Sequence, residues 1–432
     1  MPALPAGGRF THRRVLVREW ARERFWVVPS VFLVLGCGLA IVVEEAAHLG
    51  LPLVLPDALG VTDETADSIL GVVASSMLTF VGVVFTITLV ALQLASAQLS
   101  PRVIRTFVRS SVTKLAFGIF LATFTFSLTA LAMGDRAGPG DGGRAVVAAG
   151  LLLAASLVIF VVYVTSTMKL LQVGWVITAV ADETRAAIAR EYPEPHQLVS
   201  GRVRETPPDE RRLVRLSESG ERALGVIRGV DRARLVDLAR RYDVVVELLP
   251  RIGQYVTTHE VVLAVHGARM PPAQQLLHAI DLGRNRTLYQ DPAFGLRQLA
   301  DVGTQALSAA LNQATTASQV LDRMADLMLR IAHLEPAPGR FVDADGVVRL
   351  LVRPITWDEL VDLAFLEITV CGASSPQITR RLLAVYDQLE RECPAALRPP
   401  LQQRRALLVA MLGPSSAPVH RWAAHPDPMG LG

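Results

Sequence analysis

Ser75, Thr79, Gly82, Thr86, Gln93, Ser96 and Ser100 succeed one another at intervals of four, three, four, seven, three and four residues. They lie inside a stretch, Ser68 to Pro101, that carries no charged side chain. This heptad-like spacing places them on one face of a helix, with Leu89 interrupting the stripe. Such a face has three open roles. Small residues let membrane helices approach closely, with hydroxyls bonded to a neighbour or to their own backbone. Uncharged oxygens replace part of an ion's hydration along a water-filled path, where Leu89 would be a constriction. In the third role the helix is an anchor whose polar groups have no defined contact.

Arg102, Arg105 and Arg109 follow Pro101 at helical spacing. In an oligomer they would form a ring at the inner mouth that attracts anions; singly they contact lipid headgroups and fix topology. Asp57, Asp63, Glu64 and Asp67 crowd the other end. A further polar set, Arg284, Arg286, Asp291, Arg297, Asp301 and Asn312, suits either a ligand site or a structural network of ion pairs. Nothing in the chain has the GxxxxGK[ST], HExxH, GxSxG or CxxC pattern, so an enzyme is not expected, nor a cofactor. Cys37, Cys371 and Cys393 are isolated, His259 and His266 have the positions of surface groups, and no metal site is expected.

These residues need elements to hold them. The chain has 432 residues, 51% hydrophobic and 19% charged, and its long uncharged runs lie before about residue 170. Runs at 25–43, 69–94, 115–133 and 145–167 are each long enough to cross hydrocarbon as a helix. Six arginines against two acids precede the first run, and the loop 44–68 holds six acids and no Arg or Lys. Arg102, Arg105, Arg109 and Lys114 follow the second run without an acid, and the short loop 134–144 is neutral. The positive-inside rule then puts both termini in the cytoplasm of a bacterial cell and the chain in its inner membrane. No acid or histidine lies in a span, which argues against proton-coupled transport. Thr123, Thr125, Ser127 and Thr129 in the third span alternate, which spreads them around the helix and favours bundle packing.

The expected fold class is a membrane α-helical bundle with four transmembrane helices, followed by a cytoplasmic α+β region with a small β-rich module and a helical module. The divisions are 1–24, a basic N-terminus; 25–168, the bundle; 169–200, a linking helix continuing the fourth span; 201–270, a mixed module; 271–413, mainly helical with a hairpin around "DADG"; and 414–432, a tail. Within the mixed module, Asp231 caps "RARLVDLARRY", and "PRIGQYVTTHEVVLAVHG" is similar to the half-barrel pattern of biotinyl and lipoyl domains without their modified lysine. Further on, "AQQLLHAIDLG" reads as amphipathic helix, and Thr316 with Gln319 has capping-box spacing. Net charge is only +3, with acids and arginines mixed, so nucleic acid is not an expected partner; membrane lipid, further copies of the chain and inorganic ions are.

Three stretches carry a resemblance: "GVVASSMLTFVGVVFTITLVALQLASAQLSPRVIRTF", "DLGRNRTLYQDPAFGLRQLADVGTQALSAALNQATTA" and "LLVRP". Together they resemble the bacterial predicted membrane proteins catalogued as domain of unknown function 2254, over roughly residues 15 to 410. Matching positions include Ser75, Gly82, Gln93, Ser96 and Arg102 in the first stretch and Arg286, Asp291, Gly295, Arg297, Asp301 and Asn312 in the second. The resemblance implies an integral membrane protein and no reaction. Ala309, Gln313 and Ala314 depart from its usual proline and Asn-Asp-Pro turn. The leading expectation is a homo-oligomeric channel-like protein with its second span lining the path and a cytoplasmic gating domain. The alternative is a membrane-anchored ligand sensor or scaffold without transport.

Overall fold

The structure, a computed structural model, describes residues 26–48, 62–98, 111–133, 142–192, 211–219, 224–334 and 339–412. The chain divides into two compact units at Gln172/Val173.

Among the described residues the first unit holds four helices, α1 (Val27–His48), α2 (Asp63–Gln98), α3 (Ser111–Met133) and α4 (Gly142–Leu170). Each is long and apolar enough to cross a membrane. Its organising element is α3, which packs on the other three and buries 56% of its apolar window, against 17–28% for them. Close approach makes this possible. A Cβ on Gly36 of α1 would stand 2.4 Å from the Ala122 carbonyl oxygen and Thr125 Oγ1, and one on Gly118 of α3 would meet the Phe32 ring at 2.9 Å. The alternating hydroxyls of α3 pack the bundle as their spread predicts. Thr123 Oγ1 lies 3.0 Å from Ser156 Oγ on α4, and Thr125 Oγ1 donates to Leu121 O at 2.8 Å and reaches Leu33 O at 3.2 Å. The 36 residues of α2 extend about 54 Å, well beyond a hydrocarbon core of roughly 30 Å.

The fourth span does not run on as one rod, contrary to expectation. The Gln172 amide bonds back to Lys169 O at 3.1 Å, tightening the last turn, and a separate helix α5 (Val173–Glu191) begins.

That helix belongs to the second unit. It buries Val176, Ile177, Val180, Ala181, Thr184, Ala187 and Ile188, chiefly against α8 (Pro292–Ala306) and α9 (Ala314–Ala332). The contact is close, since a Cβ on Gly295 would fall 1.9 Å from Thr184 Oγ1. Two sheets complete the unit. The strands are β1 (Arg211–Arg215), β2 (Gly225–Val230), β3 (Val245–Leu248), β4 (Tyr255–Val256), β5 (Val261–His266), β6 (Ile280–Gly283), β7 (Arg340–Val342) and β8 (Val348–Val352). One sheet has the order β1-β5-β3-β8-β7 and the other β4-β2-β6. Among the described residues only the β3–β8 pairing is parallel. Both sheets draw strands from either side of residue 270. The β3, β5 and β8 strands supply Val246, Leu263, Val265 and Leu350 to a core covered by Leu235 and Ala239 of α6 (Arg232–Tyr242). Asp231 caps α6 by accepting from the Arg234 amide at 3.0 Å.

Three local expectations are corrected. Ile280–Gly283 is strand, because it completes the small sheet against β2; only Ala273–Leu277 (α7) of that stretch is helix. β4 and β5 enter different sheets, so their stretch does not close into a half-barrel of its own. Thr316 lies inside α9, whose N-cap is Gln313, and its hydroxyl turns to the Gln313 side chain at 3.3 Å. A capping box does occur, at Thr356 and Glu359, opening α10 (Trp357–Val361). A π turn, Asp362–Leu366, joins α10 to α11 (Glu367–Gly372), and α12 (Pro376–Glu392) and α13 (Arg398–Leu412) follow.

Candidate functional site

In α2 the side chains packed into the bundle are Ala66, Leu70, Val73, Ala74, Met77, Val84, Ala91 and Ala95. At 100° per residue their mean direction lies about 160° from that of the polar stripe. Ser75, Thr79, Gly82, Thr86, Leu89, Gln93 and Ser96 are accordingly all exposed. The hydroxyls close on their own helix: Ser75 donates to Gly71 O at 2.9 Å, Thr79 to Ser75 O at 3.1 Å and Thr86 to Gly82 O at 2.9 Å. Their protons are thus committed, and what they turn outward is lone pairs. Thr88 lies off the stripe and does the packing work, with its Oγ1 2.7 Å from the hydroxyl of buried Tyr163. A Cβ at Gly82 meets no atom within 4 Å. Among the described residues the stripe is therefore not used for packing within its own bundle. Arg102, Arg105 and Arg109 lie outside the described residues.

The second set divides. Asp291 is 6% exposed and caps α8, its Oδ1 accepting from the Phe294 amide at 3.2 Å. Its Oδ2 takes two bonds from Arg286, from Nε at 2.9 Å and from a terminal nitrogen at 2.7 Å. Burial pushes this carboxyl above its ordinary value, and Arg286 holds it back only in part. Gly253 lies against the pair with φ +88°, and a Cβ there would stand 2.3 Å from Asp291 Oδ2. Arg297 lies apart, bonded to Asp301 at 3.0 Å and Glu367 at 2.5 Å, and ties α8 to α11. Arg284 is exposed. Asn312 occupies the left-handed region, φ +45°, in the turn between α8 and α9, a conformation asparagine tolerates better than most residues.

Arg286 and Asp291 face a cavity of about 320 Å³ in the second unit. Sequence reasoning missed its other polar walls: Glu191 and Tyr192 at the end of α5, Arg232 at the start of α6, Arg251 and Gln254 in the turn before β4, Gln290, and Arg353 after β8. Arg232 pairs with Glu191, and Arg251 with Glu359 at 2.8 Å. Gln290 mimics a strand, accepting from the Val230 amide at 2.9 Å and donating to the Val230 carbonyl at 3.1 Å. Tyr192 is buried beside Glu191, and both raise its hydroxyl pKa. One signal did exist. "LLVRP", a stretch that carries the family resemblance, contains Arg353 and Pro354 of the wall. No group of three or more His, Cys, Asp or Glu suited to a metal occurs among the described residues.

Comparison with known proteins agrees with the four apolar helices. The family described as "Predicted membrane protein (DUF2254)" matches residues 22–388. Uncharacterized protein Rv1290c of Mycobacterium tuberculosis is 26% identical over 398 residues, which cover 88% of this chain and 74% of that protein. Uncharacterized protein Mb1321c of Mycobacterium bovis has the same identity and coverage. No solved structure matches. With most of its length matched, from before the first apolar helix into α12, the chain belongs to the DUF2254 family of predicted membrane proteins.

Proposed function

We propose that the protein is a homo-oligomeric channel of the bacterial inner membrane in which α2 lines a path for inorganic ions, with both termini and the second unit cytoplasmic. The observation that carries this reading is the exposed polar stripe opposite the face that α2 buries. Lipid is a poor partner for it. The hydroxyls satisfy their own protons, but their outward lone pairs find no donor in hydrocarbon, and the Gln93 amide, about 37 Å along the helix from Ser68, adds two N–H donors and a carbonyl at the inner end of the span. A second copy's helix or a file of water supplies those partners. The outward lone pairs of Ser75, Thr79 and Thr86 add an acceptor surface of the kind that replaces ion hydration. The flanking charges support the orientation through the positive-inside rule.

Purified protein in liposomes is expected to conduct ions, and T79W or T86E to change that conductance severalfold, since a bulky or charged side chain alters both the width and the field of a narrow path. Currents that both substitutions leave unchanged would remove α2 from the lining. A ligand sensor or assembly protein without transport is the second reading, favoured by the arginine-lined cavity. Absent conductance together with retained ligand binding would select it.

A further inference from the structure

The cavity of the second unit contains more cationic capacity than its own acids use. Arg232, Arg251, Arg286 and Arg353 line it, and the carboxylates that pair with them are Glu191, Glu359 and Asp291. Arg353 is exposed at the wall and forms no ion pair among the described residues. Arg232 and Arg251 each keep an Nε–H without an acceptor, but these atoms are closed to solvent, so the cation that the cavity has to spare is Arg353. Apolar side chains also line it, those of Ile252, Val352, Pro354, Ile355 and Leu363. Leu363 belongs to the π turn, a distortion found frequently at functional sites.

We infer that this cavity binds a small organic phosphate, its phosphoryl group held by Arg353 and the neighbouring arginines and its organic body laid against the apolar side chains. Several features select that class. Guanidinium forks match phosphate oxygens in pairs, and they do so with charge-assisted bonds. The volume, about 320 Å³, lies in the range of small-molecule sites and exceeds what a bare inorganic ion needs. The apolar part of the lining would be wasted on a fully hydrated anion. Its walls come from α5, α6, β8 and the π turn, so an occupant would join elements distant in sequence.

The test uses the full chain in detergent micelles, titrated calorimetrically with adenosine 5′-monophosphate, adenosine and inorganic phosphate. The monophosphate should bind saturably, adenosine should not, and inorganic phosphate should bind more weakly and compete. R353Q removes the cation without a partner and should leave the melting temperature unchanged while weakening the monophosphate by about tenfold or more, the scale of one lost charge-assisted bond. R353K should recover part of the affinity. Absence of saturable binding by both phosphate probes, or an R353Q protein that binds as well as the wild type, would overturn the assignment. Binding is measured without current, so this result and the conductance result stand or fall separately.

Discussion

Glu359 shows how much one side chain carries at the cavity's edge. Its Oε2 accepts from the Thr356 amide at 2.9 Å and from the Thr356 hydroxyl at 3.0 Å, while Oε1 pairs with Arg251 at 2.8 Å. Burial pushes the carboxyl up, but the Thr356 amide, Arg251 and the Thr356 hydroxyl outweigh it and bring it to about 2. A depressed carboxyl stabilises the fold fully above its ordinary value near 4.5 and ceases to do so as pH falls through about 2. Wild type should therefore melt above E359Q at pH 7, with the gap closing between those two pH values. T356A, which removes the reciprocal bond, is expected to cost about 1 kcal/mol in chemical unfolding. Sequence reasoning misses this box, although Thr356 and Glu359 stand three apart before an apolar run, and picks the same spacing at Thr316 and Gln319, which is not a cap. Spacing proposes a cap; the helix begins where packing places it. Cys393 makes the opposite point, as a buried thiol raised to about 11 that is protonated and unreactive at neutral pH.

Among the elements, two glycines separate faces that look alike in sequence. Gly36 lies where α1 meets α3 and has no room for a Cβ, whereas Gly82 faces open space on α2. G36V is expected to lower the stability of the solubilised bundle by about 1–3 kcal/mol through overpacking. G82L should leave the protomer's melting within about 0.5 kcal/mol, the usual range for a surface substitution. Its effect should appear in the mass of the solubilised particle, which falls if the stripe seats another copy. The four spans, the length of α2 and the β7–β8 hairpin were legible because apolar run length and turn chemistry are local signals. The break after Leu170 was not, because apolar and amphipathic residues continue through it, and what separates α5 from α4 is its long-range packing on α8 and α9.

For the molecule as a whole, the division at Gln172/Val173 has a direct test. A fragment of residues 173–412 contains both sheets and α5, and is expected to be soluble and to unfold cooperatively. A fragment of residues 201–412 lacks α5, whose seven buried side chains include Val176, Ile177 and Ile188. It should aggregate or melt without cooperativity in the same circular-dichroism measurement. Sequence composition located the membrane-type unit well, because span length and flanking charge are properties of contiguous residues. The arginine-lined cavity was legible at Arg286 and Asp291, which are five apart, and through the family-like stretch "LLVRP" at Arg353; its other walls lie up to 172 residues from Glu191, at Leu363, and meet only through the fold.

The π turn of Asp362–Leu366 has a consequence in phase. Such a turn takes up about one more residue than an α turn, so everything after it is rotated by about 100° relative to a regular helix. That offset lets one continuous segment satisfy two clients. Before it, Leu360 and Val361 are buried; within it, Leu363 reaches the cavity; after it, Ile368 and Thr369 are buried while Glu367 meets Arg297. A deletion of one residue here would regularise the hydrogen bonds and keep the second half in phase, whereas drawing the intact segment into a regular helix would exchange core for surface. The segment thus carries a timing element in its backbone, one that links the lining of the cavity to the anchoring of α8.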